Sequence, residues 1–343
     1  MRSIIPNKQA ILLYLLPTLL LVAGCGEEKD EMDLFVLPES GTIRPTGKTK
    51  EFTLVAKPSK WLLSSEVVVD AYTFNGQVPG PTIRVTEGDQ VKITMQNQLP
   101  EPTSIHWHGL HVPFDQDGAS PLNQEPIQPG EVYTYEFMAS HAGTFMYHPH
   151  VLGNDAEQID KGLYGVFIID LQGSQPHFDR EYTMMLNGWR VPQMIRNGGH
   201  MGGEMPEDQM DMMDYNTWSI NGKLYPETEP LRVKEGEHIR VRLINLSNMN
   251  HPMHLHGHDF RVIAIDGEPV ANPQRMNTVS VHPGQTLDVE FLADNPGVWV
   301  FHCHELHHAA GGMMTTVVYD GFNADLEAIP GHQNGGMPMK ENR

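Results

Sequence analysis

The sequence predicts an all-β protein made of two similar β-sandwich domains in tandem. The chain has 343 residues, and a globular domain averages about 150 residues, so two domains are expected. From residue 51 onward, strand-length segments that alternate or run apolar are separated by Gly, Pro and Asn turn signals. No segment there has a long helical period, which favours sandwiches or barrels over helical folds.

The first domain is predicted over residues 51–172 from a series of short strands. Asn75-Gly76 and Pro79-Gly80-Pro81 are typical turn sequences between strands. The predicted strands are Glu51–Ala56, Glu66–Phe74, Ile83–Asn97 with an internal turn at Glu87-Gly88, Val132–Met138, Gly143–Tyr147 and Tyr164–Asp170.

A second domain is predicted over residues 173–321 because its sequence repeats that of the first. Three pairs of segments match in order along the chain: 84–88 (RVTEG) with 232–236 (RVKEG), 106–109 (HWHG) with 254–257 (HLHG), and 143–150 (GTFMYHPH) with 297–304 (GVWVFHCH). Such self-similarity indicates an internal duplication. Residues 322–343 are expected to form a flexible tail.

The N-terminus is typical of an export signal over residues 1–24. Its apolar run is of signal-peptide length and short for a transmembrane helix. Val22-Ala23-Gly24-Cys25 is similar to a bacterial lipobox, so Cys25 is predicted to carry lipid and residues 25–50 to form a tether. The protein is then exported and touches the membrane only through its lipid anchor, on the periplasmic or cell-surface side. A plain signal peptide or an uncleaved anchor helix is the alternative.

The charge and cysteine content exclude some classes of function. There are 43 acidic against 23 basic residues and a net charge of −20, which argues against nucleic acid as a partner because a basic surface is missing. Cationic or neutral small substrates are mildly favoured. The two cysteines are Cys25 and Cys303, and if one carries lipid and the other binds metal, no disulfide remains.

The segment around Cys303 predicts a mononuclear copper site. Cys303 lies between His302 and His304, with His308 and Met313 further along. A thiolate, imidazoles and a weak thioether are the ligands of a blue, type 1 copper site. Residues i and i+2 of an extended segment face the same side, so the two flanking histidines can face a second metal centre. A histidine-rich loop with a structural cysteine is the alternative.

Four His-X-His units predict a second kind of copper site. They are His106/His108, His148/His150, His254/His256 and His302/His304. Each pair turns two imidazoles to one side of a strand, and imidazole is a preferred copper ligand. Solvated surface histidines are the alternative, but they do not explain why the pairs recur at equivalent points of both domains.

Comparison of the two repeats separates the two kinds of site. The mononuclear ligands expected in the second domain are His251, Cys303, His308 and Met313. The matching positions of the first domain hold Thr103, Pro149, Asn154 and Ile159. The first domain therefore contributes only His-X-His pairs, whereas the second domain contributes such pairs and the blue copper site.

Together, these motifs resemble the four copper signatures of the multicopper oxidases. The segments are HWHG (106–109), YHPH (147–150), HPMHLHGH (251–258) and HCHELHHAAGGMM (302–314). The resemblance covers about residues 51–320 and implies two cupredoxin-like Greek-key β-sandwich domains. Most members have three domains, so this chain resembles the two-domain small laccases with type 1 copper in the second domain.

The resemblance implies four copper ions per chain, each with assigned ligands. Type 1 copper would be bound by His251, Cys303, His308 and Met313. Type 2 copper would be bound by His106 and His254. The type 3 pair would be bound by His108, His148, His150, His256, His302 and His304.

The resemblance also implies a laccase-like reaction. A small reducing substrate (a phenol or other aromatic donor, or Cu(I)) gives single electrons near His308, and they pass through Cys303 to the cluster, where four electrons reduce O2 to water. Asp117 matches the family's acidic residue beside type 2 copper and is a candidate catalytic proton donor, with a turn-forming role before Gly118 as the alternative. In small laccases neighbouring subunits complete each cluster, so a homotrimer with interfacial clusters is expected.

A methionine-rich segment over residues 194–213 has no clean helix or strand period. Thioethers select Cu(I), so the hypothesis is that this loop binds cuprous ion; an adaptable hydrophobic loop is the alternative. The methionines are Met194, Met201, Met205, Met210, Met212 and Met213.

Two further functions compete with the oxidase. A copper nitrite reductase is also a two-domain trimer, but it resembles this chain less, because its blue copper belongs in the first domain, where Pro149 replaces the cysteine. A copper-binding or copper-tolerance lipoprotein is the other, and the intact ligand set around Cys303 disfavours a mere store.

Overall fold

A computed structural model describes residues 43–173, 177–191 and 215–322. The predicted signal sequence, Cys25, most of the tether, the methionine-rich segment and nearly all of the predicted tail lie outside these residues. Within the described ranges, no helix is long and apolar enough to cross a membrane.

The first β-sandwich consists of two four-stranded sheets, with strand orders β2-β1-β4-β6 and β3-β8-β7-β5. Its strands are β1 (Thr49–Ser64), β2 (Val67–Phe74), β3 (Gly80–Thr86), β4 (Gln90–Asn97), β5 (His106–His108), β6 (Val132–Met138), β7 (Gly143–His148) and β8 (Gly165–Asp170). A 3₁₀ turn at Phe114–Gln116 and a short helix, α1 (Asp155–Asp160), lie in its loops.

The second β-sandwich has the same plan with extra strands. Its strands are β9 (Arg180–Trp189), β10 (Thr217–Ile220), β11 (Leu231–Val233), β12 (His238–Asn245), β13 (His251–Leu255), β14 (Phe260–Ile265), β15 (Glu268–Pro269), β16 (Arg275–Met276), β17 (Thr278–Val281), β18 (Thr286–Leu292), β19 (Val298–Cys303) and β20 (Met314–Tyr319). The sheet orders are β10-β9-β12-β18-β14-β15, with β16 beside β14, and β11-β20-β19-β13-β17. A short helix, α2 (Leu306–Ala310), joins β19 to β20.

Strand pairing repeats between the two sandwiches in register. In the first sandwich β5 pairs with β7 so that His106 lies opposite His148. In the second, β13 pairs with β19 so that His254 lies opposite His302. The repeat seen in the sequence is therefore also seen in how the strands pair. In each sandwich it puts the two His-X-His pairs on neighbouring strands.

The largest difference from the predicted strands is the length of β1. It begins at Thr49, within the predicted tether, because residues 49–56 pair with β4 in parallel. It also continues to Ser64, because residues 56–64 pair with β2. Its far end reaches the second sandwich, where Trp61 Nε1 donates to the Gly222 carbonyl at 2.7 Å.

Three apolar clusters hold the described chain together. Each sandwich has its own core, centred on residues such as Trp107 in the first and Phe301 in the second. A third cluster combines Met146 and Tyr164 of the first sandwich with Trp189 of the second. Because burying one large apolar side chain stabilises by about 1.5–3 kcal/mol, this shared cluster couples the two sandwiches strongly.

A buried ionic network also joins the two sandwiches. Arg242 donates to Glu181 Oε2 at 2.6 Å, to Asp288 Oδ2 at 3.2 Å and to the Thr144 hydroxyl. Arg240 also donates to Asp288, and Thr144 Oγ1 donates to Asp288 Oδ1 at 2.7 Å. Burial raises the pKa of Asp288, but the two guanidinium groups outweigh this effect and bring its pKa below the ordinary value. Asp288 is thus held ionised between two arginines.

Candidate metal centres

Three ligand-type side chains meet in the core of the second sandwich. The Nδ1 atoms of His251 and His308 lie 3.0 Å apart. The Sγ atom of Cys303 lies 3.7 Å from His251 Nδ1 and 3.6 Å from His308 Nδ1. All three side chains are buried, so the three atoms form a compact triangle sealed from solvent.

The alternation of side chains along β19 explains this placement. Phe301 and Cys303 face the core, whereas His302 and His304 are on the other face with their rings stacked at 5.7 Å. His251 opens the neighbouring strand β13, and His308 comes from helix α2. One strand therefore serves two sites, one on each side of the sheet.

The triangle fits a bound transition-metal ion. The centre of the circle through the three atoms lies about 2.0 Å from each, within the ~2.0–2.3 Å that zinc, a comparable first-row ion, makes with His nitrogen and Cys sulfur. Burial raises the pKa of Cys303 to about 12 and, helped by the His308 ring, lowers the pKa of His251 to about 3. Both groups are then neutral in the protein alone, and a cation at the centre favours the thiolate.

Met313 is hydrogen-bonded through its backbone to two residues of this triangle. It is fully buried, its N–H donates to the His308 carbonyl at 3.0 Å, and its carbonyl accepts from the Cys303 N–H at 3.1 Å. The backbone of Met313 thus ties together the two segments that carry His308 and Cys303.

A first quartet of histidines lies at the β5–β7 edge of the first sandwich. Ring centroids are 5.4–5.7 Å apart between His106 and each of His108, His148 and His150. Nδ1 of His108 lies 3.2 Å from Nε2 of His148. Burial lowers the pKa of His148 to about 3, so its imidazole is neutral and has a lone pair for a metal.

A second quartet occupies the equivalent place in the second sandwich. His254 lies with its ring centroid 4.8–5.7 Å from those of His256, His302 and His304. The Nε2 atoms of His256 and His302 are 3.0 Å apart. No ring contact joins the two quartets within the described ranges.

Backbone carbonyls orient several of these imidazoles through Nδ1. His106 contacts the carbonyl of Asp117, His148 that of Pro149, His254 that of Asn277, and His302 that of Cys303, at 2.8–3.0 Å. A ligating histidine commonly donates its other ring N–H to such a partner. The Nε2 atoms of these four rings are therefore available to metal.

Comparison with known proteins identifies the family. Residues 56–174 and residues 203–321 each match a multicopper oxidase family profile. The chain belongs to the multicopper oxidase family. The two sandwiches of this oxidase are cupredoxin domains, and its cofactor is copper of types 1, 2 and 3.

This oxidase is similar to the crystal structure of a blue copper oxidase from Nitrosomonas europaea. The two are 34% identical with a TM-score of 0.71, covering 79% of this chain and 86% of that one. Copper resistance protein A of Escherichia coli is 31% identical over 64% of this chain, but over only 42% of its own length. The two-domain length of this oxidase fits the small laccase type.

A copper nitrite reductase from Nitrosomonas europaea is also similar, at 27% identity and a TM-score of 0.68. The equivalent strand pairings in the two sandwiches argue against a nitrite reductase. Because His148 is equivalent to His302, Pro149 occupies the place of Cys303, and the first sandwich has no thiol for a blue copper. The laccase-like function therefore fits the described residues better.

Asp117 lies beside the first quartet of this oxidase. Its Oδ1 is 3.4 Å from His106 Nδ1, and its Oδ2 accepts from Asn123 Nδ2 at 3.0 Å. A carboxylate is thus within reach of a histidine for which the resemblance implies a type 2 copper role.

Two residues next to the triangle of His251, Cys303 and His308 were not predicted from sequence. The indole of Trp218 packs against the His308 ring with centroids 4.5 Å apart and ring planes inclined by 31°. Gly311 permits this, because a Cβ there would lie 2.3 Å from Trp218 Cε3. The other is Glu305, whose carboxylate contacts His308. The only feature of the sequence that pointed to Glu305 was its position within the HCHELHH segment.

Proposed function

We propose that this laccase-like oxidase takes electrons at a type 1 copper held by His251, Cys303, His308 and Met313. The observation that carries this assignment is the alternation along β19, with Cys303 in the core beside two imidazoles and its flanking histidines on the other face. Bound copper supplies one-electron chemistry at both sites. Cys303 and its two neighbours along the chain give a covalent route from one site to the other.

The two histidine quartets are proposed to hold the oxygen-reducing cluster. His106 and His254 are the type 2 ligands in this proposal. The type 3 ligands are His108, His148, His150, His256, His302 and His304. Each quartet has four imidazoles. If the first-domain quartet lies against a second-domain quartet, eight imidazoles are available to bind three ions.

We propose that this meeting takes place between subunits of a homotrimer. The separation of the quartets within one chain supports this, because each would need a partner from another copy. A mixing experiment tests it: a His106→Ala/His108→Ala chain and a His254→Ala/His256→Ala chain are each expected to be inactive. Denatured and refolded together, they should recover O2 consumption through subunit pairs with two intact halves. No recovery in verified mixed oligomers contradicts the shared cluster.

Asp117 is proposed to deliver protons to oxygen at the cluster. Asp117→Asn should lower kcat by about 10²-fold or more, the usual scale of general acid–base catalysis, while copper content stays unchanged. Asp115→Asn, on the same turn and exposed, is the matched control and should keep wild-type kcat. Equal kcat values in the two variants would remove Asp117 from the mechanism.

The reducing substrate is proposed to include Cu(I). The residues that flank the methionine-rich segment support this. Asn216 Nδ2 donates to the Val191 carbonyl at 2.8 Å, and Trp218, two residues further on in β10, packs against His308 with ring centroids 4.5 Å apart. Two residues on either side of the segment are therefore hydrogen-bonded to each other, and one of them lies two positions before a residue that contacts His308. The relative named as a copper resistance protein agrees with such a role.

Replacing the six methionines of residues 194–213 with leucine tests this substrate. Oxidation of Cu(I) should fall by about tenfold or more, because soft thioether ligands for Cu(I) are lost, while oxidation of a methoxyphenol stays near wild type. O2 uptake with each donor, with and without added copper, is the measurement. An equal loss of both activities, or no loss of either, contradicts a specific role for these methionines.

Lipidation at Cys25 is proposed from the Val22-Ala23-Gly24-Cys25 sequence. Cells fed labelled palmitate should label the wild-type protein and not a Cys25→Ala variant, which should also leave the membrane fraction. A labelled Cys25→Ala protein would contradict lipidation at this residue.

A further inference from the structure

One carboxylate contacts a single histidine of the blue copper triangle in two ways. Oε2 of Glu305 accepts from the backbone N–H of His308 at 2.9 Å, as the N-cap of α2. The same oxygen lies 3.3 Å from Nε2 of the His308 ring. His308 Nδ1 faces Cys303 and His251. One ring nitrogen is therefore directed at the triangle and the other at the carboxylate.

The two histidines of the triangle differ in this respect. Nε2 of His251 lies 2.6 Å from the hydroxyl of Ser247, a neutral group buried with it. Nε2 of His308 meets a carboxylate instead. An acidic side chain therefore lies against the outer nitrogen of only one of the two triangle imidazoles.

We infer that Glu305 is a positioning residue that holds His308 in its Nε2–H form and lowers the reduction potential of the blue copper. The contact fixes the ring orientation, and the Trp218 indole packs against the same ring with centroids 4.5 Å apart. A carboxylate beside the outer N–H of a ligating imidazole, here at 3.3 Å, makes that imidazole a stronger donor, and this favours Cu(II) over Cu(I). The inference depends on the type 1 ligand set proposed above.

Three substitutions separate charge, ring contact and helix capping. Glu305→Gln keeps an oxygen acceptor but removes the charge. Glu305→Asp keeps a good N-cap but is one methylene too short to reach the His308 ring. Glu305→Ala removes the charge, the ring contact and the helix cap, and should also lower the Tm of the copper-free protein.

Potentiometric titration of the blue absorption is the first measurement. The Gln, Asp and Ala variants should each raise the reduction potential. The site's affinity for Cu(II) relative to Cu(I) should fall by about tenfold, within the 10–100-fold range for loss of such partners. Tenfold equals 59 mV for a one-electron couple. The Asp variant should do so at wild-type Tm, which a purely structural role of Glu305 does not predict.

Nitrogen NMR of the copper-free, ¹⁵N-histidine-labelled protein is the second measurement, with the His308 signals assigned through a His308→Gln variant. Wild type should show His308 protonated at Nε2, and the Asp variant a mixture of tautomers. Unchanged potential and unchanged tautomer in the Gln and Asp variants would overturn the inference. If wild type itself lacks a blue band, the proposed ligand set has failed, and the tautomer result still decides the role of Glu305.

Discussion

Cys303→Ser is expected to remove the blue colour and to lower O2 consumption by more than about 100-fold, because losing a ligand should cost more than the 10–100-fold that follows from losing a ligand's hydrogen-bond partner. The serine hydroxyl is a hard, neutral ligand that does not replace a thiolate for copper. It also removes the sulfur through which the core site is joined to His302 and His304. Absorption spectra and oxygen uptake with a methoxyphenol measure the two losses.

The same variant should still fold. Cys303 is fully buried beside His251 and His308, and serine is close to it in size. Cys25→Ser is the matched control, because it replaces the other cysteine and should keep both colour and turnover. Turnover in the Cys303→Ser variant close to that of this control would contradict the electron route through Cys303.

Asp288→Ala is expected to lower the free energy of unfolding by about 3–5 kcal/mol, the usual cost of breaking a buried ion pair. The substitution leaves Arg240 without its carboxylate and Arg242 with only Glu181. Denaturant unfolding of the copper-free protein measures the loss. Lys60 pairs with Asp70 at the surface, so Asp70→Ala should cost less than about 1 kcal/mol.

The pH dependence gives a second check on this network. The folded pKa of Asp288 lies below its ordinary value, so its contribution is complete above the unfolded pKa, about 3.9. It is lost as the pH falls from there through the folded pKa. The stability difference between wild type and Asp288→Ala should therefore be constant near neutral pH and shrink in acid. A loss no larger than that of Asp70→Ala would mean that the network does not stabilise the pairing of the two sandwiches.

Much of the fold could be predicted from the sequence, because its pattern is local. The strand Val132–Met138 agrees at both ends with the prediction, and the alternation of His302, Cys303 and His304 predicted which side chains share a face. These features depend on a two-residue period and on turn residues, both visible in one sequence.

The rest depends on contacts between distant residues. Arg240 and Arg242 alternate with apolar residues along β12, a pattern that predicts a solvated face. They are buried instead, because Thr144 and its strand from the first sandwich cover that face. The contacts of Trp218 and Glu305 with His308 likewise depend on packing between separate segments, for which one sequence carries no periodic signal.

The copper content of the purified full chain, measured together with its absorption spectrum, tests the central claim most directly. A laccase-like oxidase with one blue site and a three-copper cluster is expected to hold four copper ions per chain, with a blue band and an ultraviolet type 3 band. Two copper ions per chain with a blue band and no type 3 band would contradict it, and would favour a nitrite-reductase-like arrangement.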